Sequence, residues 1–226
     1  MTVSTTTNVL YNTENHQQPL LMIPGPIQYD QSVLDLAGAQ TLSHTSPQFI
    51  KEFGNVLNLI PKIFKAESES QAFIINGSGT LGWDIAIANF CQKGDLIFLP
   101  NTGYFSDSVV NCAEVYEISV YQVKAKHIGD TVSIQEFKEG LYKCNPRMVI
   151  LTHVDTSTAV LNDIESMCAA VREIHPNTMI CIDGVCSIGG ERFEMQKIGC
   201  DIALCCSQKA LGESFSCVCS DLYMIK

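Results

Sequence analysis

The sequence predicts an α/β domain, a mostly parallel sheet sandwiched by helices. Two observations carry that expectation. Short, continuous apolar runs of strand length, such as Met148–Thr152, Met179–Asp183 and Ile202–Cys206, alternate with stretches of helical periodicity. Strands covered on both faces read this way, as unbroken apolar runs. Glycines and hydroxyl residues then gather just after several of these runs, where open α/β sheets bind ligands.

The elements follow in order. Residues 1–18 are rich in Thr, Asn and Gln with little apolar periodicity, and are expected to form a disordered or loosely attached arm; residues 19–226 form the domain. The arm carries no Lys or Arg, which argues against a mitochondrial presequence. Pro24-Gly25-Pro26 is a rigid turn. Pro47 to Lys65 has helical spacing, with Ser46 as N-cap and Phe49, Phe53, Val56, Leu57 and Ile60 on one face. Pro61 is expected to kink or end this helix. A strand at Ala72–Asn76 leads into a helix from about Thr80 to Gln92. A strand at Leu96–Pro100 leads into a loop and helix from Gly103 to about Cys112. Further strands are expected at Val115–Val120, Met148–His153, Met179–Asp183 and Ile202–Cys206, with helices at Ser133–Tyr142 and Asn162–Ile174, and Ser216–Ser220 fits a last strand.

Composition removes several function classes. With 46% hydrophobic and 17% charged residues, 226 residues suffice for one large globular core. The net charge of -10 and the lack of a basic stripe argue against a nucleic-acid surface. The longest apolar stretches are strand-length, so no membrane-spanning helix is expected. Most of the 11 cysteines sit inside apolar runs, with no signal peptide before them, and are read as buried and reduced. None has C-x-x-C spacing. Cys205-Cys206 and Cys217-x-Cys219 are poor zinc geometry, so no metal site is expected.

Five constellations bear on chemistry. Asn76-Gly77-Ser78-Gly79-Thr80-Leu81-Gly82 leaves a strand and opens a helix, where free backbone N–H groups and the Ser78 and Thr80 hydroxyls suit a phosphate. The same residues match G-x-G-x-x-G, but the next strand ends in Leu99-Pro100-Asn101, without the acidic residue that a dinucleotide ribose requires. A simple tight turn remains the other reading. Phe105 follows the next strand, where a ring packs on its neighbours or stacks on a flat heteroaromatic ligand. The hydroxyl cluster at Asp155-Thr156-Ser157-Thr158 reads either as a ligand contact or as an Asx/Ser-Thr turn capping the helix at Asn162. Asp183, at a strand end, is either a helix cap or a carboxylate for a pyridinium nitrogen. A lone lysine after a strand is ordinarily a surface residue. The neighbours Ser207, Gln208 and Ala210-Leu-Gly212 favour a partly buried site for Lys209. Lysine and aspartate at two such strand ends are what pyridoxal 5'-phosphate needs: an amine for its aldehyde and a carboxylate that keeps its ring nitrogen protonated.

Taken together, the segments Leu21-Met-Ile-Pro-Gly-Pro26, His44-Thr-Ser-Pro47, Gly77-Ser-Gly-Thr-Leu-Gly-Trp-Asp84, His153-Val-Asp-Thr-Ser-Thr-Ala-Val160, Asp183-Gly-Val-Cys-Ser-Ile-Gly189 and Ser207-Gln-Lys-Ala-Leu-Gly212 resemble the class V aminotransferases of pyridoxal-phosphate fold type I. The alanine–glyoxylate and serine–pyruvate aminotransferases, especially the fungal ones, are the most similar. The resemblance implies that Lys209 forms the Schiff base with the cofactor and that Asp183 pairs with its ring nitrogen. It implies phosphate contacts from Ser78, Gly79, Thr80 and Gln208, ring stacking by Phe105 and a hydrogen bond from Thr156 to the phenolic oxygen. Pro24 and Gly25 would border the substrate pocket.

The implied activity is transfer of an amino group from alanine or serine to glyoxylate, giving glycine and pyruvate, by a chain that pairs as a homodimer. The small C-terminal domain of the family, which supplies an arginine for the substrate carboxylate, is expected to be missing, because the sequence stops at Lys226. The alternative reading is therefore a non-catalytic, cofactor-binding or dimer-forming remnant. A cytoplasmic location is expected, with peroxisome and mitochondrion left open.

Overall fold

The computed structural model describes residues 21–25, 27–212 and 220–225. The proposed arm at residues 1–18, Pro26, and Cys217 and Cys219 lie outside the described residues. In chain order the elements are α1 (Gln31–Ala37), α2 (Pro47–Phe64), β1 (Gln71–Asn76), α3 (Gly79–Phe90), β2 (Leu96–Asn101), α4 (Tyr104–Val115), β3 (Ser119–Lys124), α5 (Ile134–Leu141) and β4 (Met148–Thr152). They continue with β5 (Val154–Asp155), β6 (Val160–Leu161), α6 (Ile164–Ile174), β7 (Met179–Asp183), α7 (Met195–Ile198), β8 (Ile202–Cys206) and β9 (Ser220–Ile225).

Seven strands form one sheet in the order β1-β9-β8-β7-β4-β2-β3, and β5 and β6 form a small antiparallel ribbon. Strands β3, β2, β4, β7 and β8 are mutually parallel. β9 runs antiparallel between β8 and β1, so β1 again points the same way as β8. All six parallel-running strands therefore end at one edge, and the turns that follow them collect there. This is the mostly parallel, helix-covered sheet that the sequence predicts.

Side-chain alternation within the apolar runs divides the core into two layers. Val149, Leu151, Ile180, Ile182, Ala203 and Cys205 face one way and pack with Phe64, Phe137, Met167 and Val171. Met148, Ile150, Cys181, Ile202 and Leu204 face the other way, onto Trp83, Ala86, Ile87, Val109 and Ala113. Both sheet faces are thus covered, α2, α5 and α6 on one and α3 and α4 on the other. This is why the strands lack polar alternation.

Helix ends follow local chemistry. Ser46 Oγ accepts from Phe49 N at the start of α2, and Ser133 and Glu136 form a capping box on α5. Pro61 does not end α2. It lies in the last turn, and the helix stops after Phe64 because Lys65 turns left-handed at φ 47°. The apolar face expected on α2 is split: Leu57, Ile60 and Phe64 pack inward, whereas Phe53 and Val56 are well exposed.

Two other boundaries differ from expectation. The strand expected at Val115–Val120 lies at Ser119–Lys124, because α4 extends through Val115 and Leu96 pairs with Ser119. The helix expected from Asn162 starts at Ile164 with Asp163 as its N-cap. Asn162 is instead spent on Thr152 O at 2.8 Å and Thr102 Oγ1 at 3.3 Å. Of the strand expected at Ser216–Ser220, residues 216–219 lie outside the described residues, and Ser220 opens β9. Helices α1 and α7 and the β5–β6 ribbon were not anticipated. The nine described cysteines are free thiols, five of them buried.

Candidate cofactor site

At the carboxyl edge of the sheet, five turns enclose a pocket of about 120 Å³ lined by Gly79, Thr80, Trp83, Phe105, Val154, Asp183, Val185, Cys186, Gln208 and Lys209. Six of the residues expected from the sequence line it together: Gly79, Thr80, Phe105, Asp183, Gln208 and Lys209. They come from chain segments as far apart as β1 and β8. The sheet brings them together.

Asp183 ends β7 and is buried. One carboxylate oxygen, Oδ2, accepts the indole N–H of Trp83 at 3.0 Å, and Oδ1 accepts the backbone N–H of Val185 at 3.1 Å. Behind it, the His153 backbone N–H donates to Asp183 O at 2.9 Å, and His153 Nδ1 lies 2.9 Å from Ser187 Oγ. Burial lowers the His153 pKa to about 4, so this imidazole is neutral at ordinary pH.

The turn after β1 opens α3. Ser78 holds the N-cap position without a side-chain capping bond, and its hydroxyl lies 2.8 Å from that of Thr80. The first turn of α3 thus keeps the donor-rich character of an uncapped helix start. Gly79 is pressed against the sheet: a Cβ there would stand 2.9 Å from Cys206 Sγ and 3.0 Å from both methyls of Val185. Ser78 reaches the pocket only through Thr80, and both residues are exposed on the side where a phosphate would enter.

The remaining walls are tied to one another. Phe105 is half-buried and meets Trp83 edge-on, with ring centres 6.5 Å apart. Its loop is fastened to the hydroxyl turn: Tyr104 N–H donates to Ser157 Oγ at 2.9 Å, and Thr158 Oγ1 donates to Thr102 O at 2.9 Å. Asp155 Oδ1 in turn accepts from Ser157 N and Oγ, which makes this segment an Asx turn, although the helix that follows takes its cap from Asp163 and not from this turn. Thr156 stands behind the lining, 3.9 Å from Cys186 Sγ. Burial raises the Cys186 thiol pKa, opposed by the positive charge of Lys209.

Beyond β8, Ser207 and Gln208 are buried and Lys209 is half-buried. Gly25 packs against the Lys209 amine, where an added Cβ would overlap Nζ. Pro24, beside it, is exposed. Gln208 Oε1 is buried with no hydrogen-bond partner among the described residues, and an acceptor in that state calls for a donor from a ligand or water.

Sequence reasoning missed four lining residues: Trp83, Val154, Val185 and Cys186. Val185 and Cys186 could have been inferred from their place in the turn after Asp183. Trp83 offered no such local signal.

Comparison with known proteins gives the geometry a family. The class-V aminotransferase profile matches residues 29–214. The chain belongs to the class-V aminotransferases. It is 41% identical over 197 residues to alanine–glyoxylate aminotransferase 1 of Saccharomyces cerevisiae, covering 85% of this chain and 51% of that protein. L-aspartate–glyoxylate aminotransferase of Paracoccus denitrificans is 31% identical, covering 85% and 49%.

Among solved structures, an alanine–glyoxylate aminotransferase from Nostoc sp. superposes with a TM-score of 0.81 at 27% identity, over 95% of this chain and 57% of that one. The ureidoglycine–glyoxylate aminotransferase of Bacillus subtilis, at 21% identity and a TM-score of 0.84, shares the fold and covers 91% and 51%. This class-V aminotransferase chain spans about half the length of the relatives it matches. Family membership implies pyridoxal 5'-phosphate, and the pocket fits it. The uncapped start of α3 and the glycine at its head suit the phosphate end, while Asp183 and Lys209 suit the ring nitrogen and the aldehyde.

Proposed function

We propose that this chain performs transamination from alanine, or serine, to glyoxylate, giving glycine and pyruvate when alanine is the donor. The observation that carries this is the convergence of the Lys209 amine and the Asp183 carboxylate on one pocket, with the donor-rich head of α3 beside them. When bound, pyridoxal phosphate supplies an electron sink for the pair released at the substrate Cα. In this reading Lys209 Nζ would hold the cofactor by its aldehyde and would be the base placed to carry the proton of the substrate Cα. Asp183 holds the ring nitrogen protonated. Ser78, Gly79, Thr80 and Gln208 seat the phosphate, Phe105 stacks on the ring and Thr156 reaches the phenolic oxygen. Pro24 and Gly25 border the substrate, consistent with the contact between Gly25 and Lys209.

The test is a titration of the purified chain with pyridoxal phosphate, followed by borohydride reduction. A visible band that is trapped covalently in wild type and lost in Lys209→Ala is expected. A wild-type chain without that band overturns the cofactor reading. Alanine should then discharge the band and glyoxylate restore it. A band that ignores alanine supports the alternative, a chain that holds the cofactor without turnover.

The partner we propose is a second copy of the chain. What supports it is the outward face of α2, where Ile50, Phe53, Val56, Leu59 and Ile63 are each 39–59% exposed. A row of large apolar residues on one helix is more surface than a monomer ordinarily leaves open.

A further inference from the structure

We propose that Trp83 is a positioning residue for the Asp183 carboxylate and, through it, for the ring nitrogen of pyridoxal phosphate. The inference rests on the cofactor reading above. Trp83 and Asp183 lie a hundred residues apart, and both are buried, at 3% and 5% exposure. The indole N–H takes Oδ2 while the Val185 N–H takes Oδ1. Donors from two separate elements, one on each oxygen, oppose rotation of the carboxylate about its terminal torsion, which is otherwise broad. A carboxylate so held keeps one orientation.

Helix α3 explains why the indole arrives at the right height. Gly79 and Trp83 are four residues apart and share one helix face. Because Gly79 has no side chain, the head of α3 lies against Cys206 and Val185, and Trp83 one turn later reaches the end of β7. One helix thus serves both ends of the cofactor, the phosphate through its first turn and the ring nitrogen through Trp83. The same indole meets Phe105 edge-on, so the stacking ring and the carboxylate are both referred to one side chain. A tryptophan kept only for packing would not need its indole N–H on a carboxylate that lines the pocket.

The test is a double-mutant cycle on the full chain, with affinity for pyridoxal phosphate as the readout. Trp83→Phe keeps an aromatic ring and removes the N–H. It is expected to raise the half-saturating concentration about tenfold with Asp183 in place, and by less than about twofold in the Asp183→Asn background. Equal effects in both backgrounds would mean packing alone and would overturn the proposal. A second measurement leaves Trp83 in place. Trp83 is the single tryptophan of the chain, so its indole N–H gives one proton–nitrogen NMR signal, expected to shift in Asp183→Asn and again on adding pyridoxal phosphate. A signal indifferent to Asp183→Asn also overturns the proposal. If wild type forms no Lys209-dependent band, the cofactor reading falls and takes this inference with it. A normal band with additive effects removes only the role of Trp83.

Discussion

Gly25 lies directly on the amine of Lys209, with no room for a side chain between them. Its φ of 149° is also one that L side chains rarely adopt. Gly25→Ala is therefore expected to push the Lys209 amine aside. The half-saturating concentration of pyridoxal phosphate should rise by about tenfold or more, and the thermal midpoint should move by only a few degrees, because the cost of the strained backbone is about 1–3 kcal/mol. Absorbance titration and a melting curve on the same sample check both parts.

Gly79→Ala acts on the other end of the site. The new methyl meets Cys206 Sγ and the Val185 methyls at about the closest approach atoms tolerate, so α3 must shift off the sheet. Overpacking of this kind costs about 1–3 kcal/mol. Urea unfolding should show that loss, and added inorganic phosphate should compete less well with the cofactor than it does in wild type.

His153 gives a pH dependence with a definite sign. Its folded pKa is about 4, below the unfolded value of 6.5. Between those values the unfolded chain binds a proton that the folded chain refuses, so stability falls as pH falls through that window. The linkage amounts to about 2 kcal/mol between pH 7 and pH 5. Urea midpoints at those two pH values should show that loss in wild type. The same comparison in His153→Asn should show a smaller drop, and an equal drop in both proteins would count against the assignment.

The outward face of α2 can be tested by charge. Phe53 and Val56 are exposed and on the solvent side of the helix, so Phe53→Asp with Val56→Asp should leave the fold intact. Sedimentation of the double variant should give a monomer where wild type gives a dimer. Equal sedimentation of the two proteins would remove α2 from the interface.

Much of this fold was legible because its strands are covered on both faces. Met179–Asp183 and Ile202–Cys206 stand where expected, since an unbroken apolar run bounded by polar residues has few alternatives. Val115–Val120 misled for the same reason: apolar Val115 belongs to the end of α4 and Val120 to β3, and periodicity cannot divide a run that two elements share. At the site, Asp183, Gln208 and Lys209 were legible because each follows a strand end. Trp83 was not, since its meaning is a hydrogen bond to a residue a hundred positions away. The turn at Asp155–Thr158 stayed ambiguous for a different reason, because its hydroxyls both close the turn and fasten the Phe105 loop.

The antiparallel strand β9 has a consequence for the order of assembly. It is the wedge that joins β1 to β8, pairing Gln71 with Ile225 across most of the chain. Gly79 belongs to the β1 side of that join and Lys209 to the β8 side. Pairing so distant in sequence is slow, because the long loop must be closed before any contact rewards it. During synthesis the halves of the cofactor pocket would therefore remain separate while most of the sheet is already formed. Only when β9 slots in between them would the phosphate turn and the lysine be locked into register, which makes the capacity to take up cofactor wait on that one pairing.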